Sequence, residues 1–197
     1  MFQDADDIAD PPRIQKQLGE VLKDSDRRVV GCWVRRVQNG RSRVVELPVE
    51  HQDIIQGFQR AYRRTTIVAG TILAPRHVFL KIPYRNQFRY MQDWDHLLRL
   101  HESGSVEFHN CPEPLYTYFI RGKGVLSKPQ WLDYNVFVRH CQNQRRLDQP
   151  ECETLGAFMR HLDHHLGKKL QWLGLRELIR LKGQLSGSLS LAGCRWR

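Results

Sequence analysis

The sequence predicts an α/β fold, because a strand-like stretch and a hairpin signal lie between two segments of helical periodicity. Residues 29–37 are rich in β-branched valine, and Asn39-Gly40 directly after them is the strongest short hairpin signal. Apolar residues recur at helical spacing at 11–24 and again at 50–62. The chain has 197 residues, 41% of them hydrophobic and 26% charged, so it can bury an ordinary core.

A helix and a hairpin are expected first along the chain. Asp10 before Pro11 and Pro12 starts the helix, since aspartate can cap free amides and proline suits the first turn. The residues that we expect to face the core at helical spacing are Ile14, Leu18, Val21 and Leu22. The return strand of the hairpin is predicted at 43–47, and Pro48 ends it.

A second helix and another strand-like stretch follow. In the helix at 50–62, the residues expected to face inward are Ile54, Ile55, Phe58, Ala61 and Tyr62. Residues 65–73 are apolar and β-branched, and glycine within such a stretch, here Gly70, often marks the close approach of another backbone or a ligand. A short helix is expected at 75–80.

Two helices and two short strands are predicted in the rest of the main domain. Asp93 opens a helix that Gly104 ends, and its apolar residues are Leu97, Leu98 and Leu100. Strands are predicted at 106–109 and 115–120. The apolar residues of a long helix at 129–144 are Trp131, Leu132, Val136, Phe137 and Val138.

Three regions are expected along the chain. They are a main domain at 1–148, a helical appendage at 149–182 and a loose tail rich in glycine and serine at 183–197. The appendage helices, at 155–166 and 168–182, are amphipathic and rich in leucine and basic residues. They could lie on an anionic membrane surface or pack against the domain, and the sequence leaves both alternatives open.

Charge and cysteine content limit the functional classes. The net charge of +10 and the isoelectric point of about 9.7 indicate an anionic partner: nucleotide phosphates, nucleic acid or an acidic membrane face. The cysteines lack zinc-ligand spacing, and their odd number argues against a disulfide framework; they are Cys32, Cys111, Cys141, Cys152 and Cys194. Without a signal peptide or a membrane-spanning run, we expect a cytoplasmic protein, with peripheral contact at the inner membrane face as an alternative.

An acidic stretch stands out at the start of this basic chain. Its carboxylates are Asp4, Asp6, Asp7 and Asp10. Carboxylates this close repel one another and resist burial as bare ions. A hard cation would remove the conflict, and Mg²⁺ or Mn²⁺ would keep open positions for phosphate oxygens. The residues alone leave two interpretations: a metal-diphosphate site, or an acidic solvated terminus in which Asp10 caps a helix.

Two sequence blocks give the chain a resemblance to a known family. The first is QDADDI at 3–8, followed by Pro11, Arg13 and Gln17. The second is QDWDHLLRL at 92–100, followed by Gly104 and by EPLY at 113–116. In this order the blocks resemble the metal-binding acidic motif and the acceptor-side motif of the inverting family-two glycosyltransferases, which have a GT-A fold. The resemblance covers about residues 1–143.

The resemblance implies transfer of a sugar from a nucleotide-sugar donor to a saccharide or lipid-linked acceptor, with inversion. Asp4 and Asp6 would hold Mg²⁺ or Mn²⁺, and Asp7 would bind the metal through water or hold the loop. Asp93 would be the general base for the acceptor hydroxyl; the plainer alternative is that it caps the helix. Trp94 would stack on the acceptor sugar or belong to the core.

Other residues of the two blocks and the loop after them receive roles by the same resemblance. Arg121 and Lys123 would close over the donor diphosphate, although a solvated basic loop is equally compatible with the sequence. Relatives often carry histidine where Arg121 stands, and arginine can serve diphosphate by charge but cannot ligate a metal. Asp95 is expected to bond within the fold, and Arg99 to be a structural ion-pair partner.

The acidic motif lies at an unusual place for this family, in which a complete nucleotide-binding half precedes it. Here Met1 stands just before the motif, so we expect the chain to be the C-terminal half of a GT-A catalytic domain with a helical appendage. Two alternatives remain: a catalytically incomplete fragment, or a basic module for nucleic acid or anionic membrane. The arginines that favour the module are Arg35, Arg36, Arg41, Arg43, Arg60, Arg63 and Arg64. They lack the interleaved aromatics of a known binding signature, so no nucleic-acid partner is expected.

Overall fold

A computed structural model describes residues 1–59, 65–120 and 130–165, with the side chains of residues 59, 131, 132 and 162–165 outside this description. The chain divides into two compact units, Met1–Lys128 and Pro129–Arg197, which we call unit 1 and unit 2. The boundary between these units precedes the one expected at 148.

Unit 1 is a mixed α/β structure, as the sequence predicts. Its helices are α1 (Arg13–Val21), α2 (His51–Gln59), α3 (Arg76–Lys81) and α4 (Gln92–Glu102). Its strands are β1 (Ile8–Ala9), β2 (Arg28–Gln38), β3 (Arg41–Val45) and β4 (Glu107–Ile120). Short 3-10 turns lie at Leu22–Asp24 and Ala69–Thr71.

The four strands form one sheet in the order β1-β4-β2-β3. β2 runs parallel to β4, whereas β1–β4 and β2–β3 are antiparallel pairs. The hairpin predicted between β2 and β3 is confirmed, with positive φ at Asn39 (51°) and Gly40 (72°). Because Ile8 pairs with Thr117, the acidic stretch before β1 lies beside the C-terminal half of β4.

The strand predictions at 106–109 and 115–120 are wrong in number, because β4 is one continuous strand. Its register with β2 shifts after Cys32, where Cys32 lies opposite Cys111 and Trp33 lies opposite Pro114. Pro112 falls inside this bulge; proline cannot donate to a ladder and is tolerated at such irregularities.

The stretch at 65–73 is not a strand of the sheet. Its centre is the 3-10 turn Ala69–Thr71, and only Leu73 forms a bridge, with Val30. The Leu73 and Val30 backbones exchange hydrogen bonds of 2.8 and 2.9 Å. The turn brings Gly70 and Thr71 into contact with the start of the chain instead of with a neighbouring strand. The apolar, β-branched composition of this stretch does not indicate such a turn.

α1 buries its polar side, contrary to the apolar face expected from its sequence. Val21 is buried as predicted, but Ile14, Leu18 and Leu22 are 53%, 43% and 65% exposed, whereas Arg13 and Gln17 are fully buried. The Gln17 amide donates to the carbonyls of Val30 (2.9 Å) and Thr71 (2.8 Å). Specific hydrogen bonds of the polar side therefore orient this helix, and the hydrophobic pattern does not.

The helices α2 and α4 follow their predicted patterns more closely. Ile54 and Phe58 of α2 are buried, as are Leu97, Leu98 and Leu100 of α4. Ile55 is half-buried, and Ala61 and Tyr62 lie outside the described residues. Gly104 has φ of 64° and ends α4 as expected. One apolar cluster of the sheet and α1 contains Val21, Val30, Cys32, Val34, Cys111, Leu115 and Tyr116.

Unit 2 contains α5 (Gln130–Arg146) and α6 (Leu155–His165) in its described part. Phe137 and Val138 are buried, Val136 is half-buried, and the rings of Phe137 and Phe158 stack at 5.5 Å. The predictions for Trp131 and Leu132 concern side chains that are not described, and 168–182 and 183–197 lie outside the described residues.

Within the described ranges, no helix combines the length and apolar character needed to cross a bilayer. The four described cysteines, Cys32, Cys111, Cys141 and Cys152, carry free thiols.

Candidate active site

Asp7 anchors the acidic stretch to β4. One oxygen of its carboxylate accepts a hydrogen bond from the Tyr116 hydroxyl (2.8 Å), and the other accepts from the backbone N–H of Phe119 (3.2 Å). The Tyr116 hydroxyl in turn accepts from the backbone N–H of Asp4 (3.2 Å). Burial, followed by the Asp7 carboxylate, raises the pKa of Tyr116. Of the two roles that the resemblance gives Asp7, this geometry corresponds to holding the loop.

Arg13 fixes the other side of the same loop from within the protein. Its guanidinium donates to the Gln3 side chain (2.8 Å) and to the carbonyls of Phe2 and Gly70 (both 3.0 Å). It also lies 4.9 Å from the centre of the Tyr116 ring, within reach of a cation–π interaction. Burial lowers the pKa of Arg13. The first block pointed to this residue, but its anchoring role was missed in the sequence analysis.

Asp4 lies against a glycine. A Cβ atom at Gly70 would stand 2.7 Å from Asp4 Oδ2 and 2.7 Å from the Tyr116 hydroxyl, so any larger residue would collide with both. Partial burial raises the pKa of the Asp4 carboxyl, and the charges of Asp7 and Asp6 raise it further. The close approach that Gly70 suggested is therefore made by a carboxylate of the acidic stretch.

Asp93 lies in the first turn of α4, two residues after Met91. Met91 has a φ of 61°, in the left-handed region. Its carboxylate accepts a hydrogen bond from the backbone N–H of Trp94 (2.8 Å). Because α4 begins at Gln92, Asp93 lies inside the first turn and does not cap the helix, so the alternative role as its cap is wrong. Its bond instead satisfies one amide of that turn. Burial raises the pKa of Asp93, its own and the Trp94 amides oppose this, and the charge of Asp4 adds to the rise.

Asp4 and Asp93 are far apart in sequence, but in the fold Asp4 lies near enough for its charge to act on the pKa of Asp93. Tyr84 interacts with both: burial, then the charges of Asp93 and Asp4, raise its pKa to about 12. The Phe2 ring packs edge-on against Tyr84 (6.1 Å) and against Phe79 (5.0 Å). The rings of Phe2, Phe79 and Tyr84 thus pack together beside the start of the acidic stretch.

Asp95 holds the segment that carries Tyr84. It is fully buried and accepts hydrogen bonds from Arg85 Nε (3.0 Å) and Arg99 Nε (2.9 Å), with a second contact from Arg85 Nη2. Arg99 also donates to the carbonyl of Pro83 (2.7 Å). The expectations that Asp95 bonds within the fold and that Arg99 is an ion-pair partner are confirmed. Together these bonds hold the segment on both sides of Tyr84 against α4.

The remaining predicted residues contribute less to the described site. Trp94 is half-buried and packs edge-on against Phe58 at 5.2 Å, so at least part of its ring belongs to the core. Arg121 and Lys123 lie outside the described residues. Asp6 is exposed on the acidic stretch.

The carboxylates of the acidic stretch suit a cation only with help from a substrate. Across the described ranges, no group of three or more His, Cys, Asp or Glu side chains is arranged to hold a metal ion. Magnesium in phosphate sites, however, uses one or two carboxylates together with substrate phosphates. The mutual repulsion that raises the pKa of Asp4 is the conflict that such a cation would relieve.

No protein-family model matches the chain, and no curated protein matches it significantly. The glycosyltransferase resemblance therefore depends on the two sequence blocks alone.

Proposed function

We propose that unit 1 is part of a metal-dependent inverting glycosyltransferase with a GT-A type of fold. The observation that supports this function best is that Asp4 lies near enough to Asp93 for its charge to add to the effect of burial in raising the pKa of Asp93. Burial and the charges of the same two carboxylates also raise the pKa of Tyr84. An acidic loop and a separate carboxylate near one another are what transfer from a diphosphate donor to a hydroxyl requires.

In this proposal, Asp93 is the general base. It accepts the proton of the acceptor hydroxyl while that oxygen bonds to the anomeric carbon and the bond from that carbon to the diphosphate breaks. A base works best when its pKa lies closer to the working pH, and burial together with the charge of Asp4 moves the pKa of Asp93 in that direction. Its contact with the Trp94 amide fixes the orientation of the carboxylate.

The donor would bind at the acidic stretch. Asp4 and Asp6 would hold Mg²⁺ or Mn²⁺, which when bound neutralises charge on the departing diphosphate. Asp7 and Arg13 keep this loop in place through their bonds to the fold. Arg121 and Lys123 would contact the diphosphate, and Trp94 the acceptor.

The nucleotide-sugar donor and the saccharide or lipid-linked acceptor complete the proposal. A reducing compartment such as the cytoplasm suits the free thiols of Cys32, Cys111 and Cys141. Contact of residues 149–182 with the inner membrane face would bring the chain to a lipid-linked acceptor.

Metal binding by the whole chain tests this function. Mn²⁺ is titrated with and without a uridine or guanosine diphosphate sugar, and free Mn²⁺ is followed by electron paramagnetic resonance. We expect nucleotide-dependent binding that Asp4→Asn with Asp6→Asn weakens at least about tenfold. The matched control, Asp24→Asn with Asp26→Asn, removes the same charge elsewhere and should keep the affinity. Equal loss in both double variants, or no nucleotide-dependent binding, would overturn the proposal.

A further inference from the structure

Two arginines face each other across the β2–β3 hairpin. Arg36 lies directly opposite Arg43, and Gln38 lies opposite Arg41 in the next row of the same face. Like charges directly opposite in an antiparallel pair are destabilising. The Arg36 guanidinium donates to the Gln38 side chain (2.6 Å), which leaves its charge uncompensated. The hairpin therefore concentrates positive charge at a cost in stability.

Among the described residues, carboxylates do not neutralise this charge. None of the ion pairs found among the described residues includes Arg36, Arg41 or Arg43. Glu46, the nearest carboxylate along β3, follows that strand at the end away from the turn. An anion from outside the described chain would satisfy these guanidinium groups.

The arginines line an open groove of about 780 Å³, which we call the hairpin groove. Its other described lining residues are polar: Gln38, Asn39 and Ser42. This volume suits a small ligand or one group of a larger one. Proteins that grip single-stranded nucleic acid stack bases on aromatic rings, and the described lining offers none. The chemistry favours a discrete anionic group over a nucleic-acid strand.

The hairpin groove shares a sheet face with the acidic site. Val34 pairs with Tyr116, and two residues further along both strands Arg36 pairs with Tyr118. Alternate residues of a strand point to the same face. Arg36 therefore lies about 7 Å along β2 from Val34, on the face that Val34 shares with Tyr116. The Tyr116 hydroxyl donates to Asp7. A ligand in the groove would lie along the same face as the proposed donor site.

We propose that the hairpin groove, through Arg36, Arg41 and Arg43, binds a phosphate or diphosphate group carried by the acceptor substrate. This inference rests on the proposed function and names the chemical class of its acceptor. Guanidinium groups bind phosphate oxygens through two parallel hydrogen bonds, which favours arginine over lysine at such a site. The acceptor is thus either a sugar phosphate or a lipid that ends in phosphate.

Pyrophosphate binding to the whole chain in the presence of a chelator tests the groove without the metal site. Calorimetry compares the unchanged chain with Arg36→Gln/Arg43→Gln and with the control Arg27→Gln/Arg76→Gln, which removes two exposed arginines elsewhere. We expect at least about a tenfold loss of affinity in the first variant and less than about twofold in the control. Similar losses in both, or none in either, would overturn the assignment.

A conservative variant guards against a folding defect. Arg36→Lys/Arg43→Lys keeps the charge but loses the paired donors, so its affinity should fall between those of the unchanged chain and the glutamine variant. Affinity equal to that of the unchanged chain would contradict recognition by guanidinium. Thermal unfolding of each variant shows whether the fold is kept.

The source of the phosphate is decided by two further probes, glucose 1-phosphate and vesicles of phosphatidylcholine with phosphatidic acid. Binding to either that depends on Arg36 and Arg43 supports the inference and identifies the source. Tighter, salt-sensitive binding to short duplex DNA would overturn it in favour of a nucleic-acid module. Chelator-resistant binding distinguishes the groove from the proposed metal site, because loss of Asp4 and Asp6 should not affect it.

Discussion

At the scale of single residues, Tyr116 connects most of the candidate site. Its hydroxyl accepts from the Asp4 amide and donates to the Asp7 carboxylate, while its ring lies beneath the guanidinium of Arg13. The residue is fully buried, so each of these contacts is shielded from water. The position of both carboxylates thus depends on one phenol group.

Replacing Tyr116 with phenylalanine should loosen the acidic stretch and keep the core. The variant leaves the Asp4 amide without its acceptor and removes a donor from Asp7, so we expect a loss of about 1–2 kcal/mol in the free energy of unfolding. Urea denaturation measures this loss. Tyr118→Phe, two residues along the same strand, is the control and should cost clearly less. Equal losses of stability in the two variants would contradict the role of the Tyr116 hydroxyl in holding the acidic stretch.

A second residue-scale expectation concerns the charge of Asp93. Because the folded pKa lies above its ordinary value of 3.8, protonation is favoured in the folded state. The corresponding stability is present at low pH and is lost as the pH rises through the folded pKa. Asp93→Asn should therefore raise the unfolding temperature at neutral pH, and the gain should shrink as the pH falls toward about 4.

Asp95→Asn on the same helix supplies the contrast. Asp95 is fully buried between Arg85 and Arg99, and removal of one charge from a buried ionic network typically costs about 3–5 kcal/mol. Thermal scans of both variants at several pH values should give opposite signs at neutral pH. A loss of stability in Asp93→Asn at pH 7 would contradict the charge argument.

At the scale of elements, α1 shows that side-chain hydrogen bonds can outweigh a hydrophobic pattern. Ile14 and Leu18 of α1, and Leu22 directly after it, are exposed. Arg13 and Gln17 instead donate to carbonyls of the 3-10 turn, and Gln17 adds a second donor to the Val30 carbonyl, which already accepts from the Leu73 amide. Unmet carbonyls in a buried place would each cost free energy, so the polar side is the one that must face inward.

Two substitutions at neighbouring positions of α1 test this orientation, one that makes a polar residue apolar and one that makes an apolar residue polar. Gln17→Leu follows the hydrophobic pattern but leaves the Thr71 carbonyl without its side-chain donor and the Val30 carbonyl with only the Leu73 amide. It should cost about 1–3 kcal/mol. Leu18→Gln places a polar group where the side chain is already exposed and should change stability by less than about 0.5 kcal/mol. Urea denaturation compares the two, and the reverse order would refute the orientation of the helix.

At the scale of the whole molecule, unit 1 contains the sheet, the acidic stretch and Asp93. Its apolar cluster comes entirely from within Met1–Lys128. Unit 2 has its own packing between α5 and α6, through Phe137 and Phe158. The candidate site and the hairpin groove therefore belong to one compact unit.

A chain ending at Lys128 should fold by itself. Because the apolar cluster of the sheet lies inside unit 1, we expect cooperative unfolding in urea and a far-ultraviolet circular dichroism spectrum of a mixed α/β protein. The variant series at Asp93 and Asp95 should keep its order of stability in this shorter chain. A gradual transition without a midpoint would show that residues after 128 are required for folding.

Local signals predicted much of the fold. The Asn39-Gly40 turn, the buried leucines of α4 and its end at Gly104 follow from residue types that favour one backbone conformation or one period. Long-range pairing was beyond such signals. The merging of two predicted strands into β4 depends on β2 lying beside it, and the 3-10 turn at Ala69–Thr71 depends on contacts with α1.

The sequence by itself determined the α/β class, the positions of most helices and an unusual concentration of carboxylates at the start of a basic chain. Only the tertiary structure decided that Asp4 lies near enough to Asp93 to raise its pKa, that Asp7 is an anchor and that α1 faces inward with its polar side. Spacing along the chain controls local conformation, whereas hydrogen bonds and charge interactions depend on which distant segments share the same space.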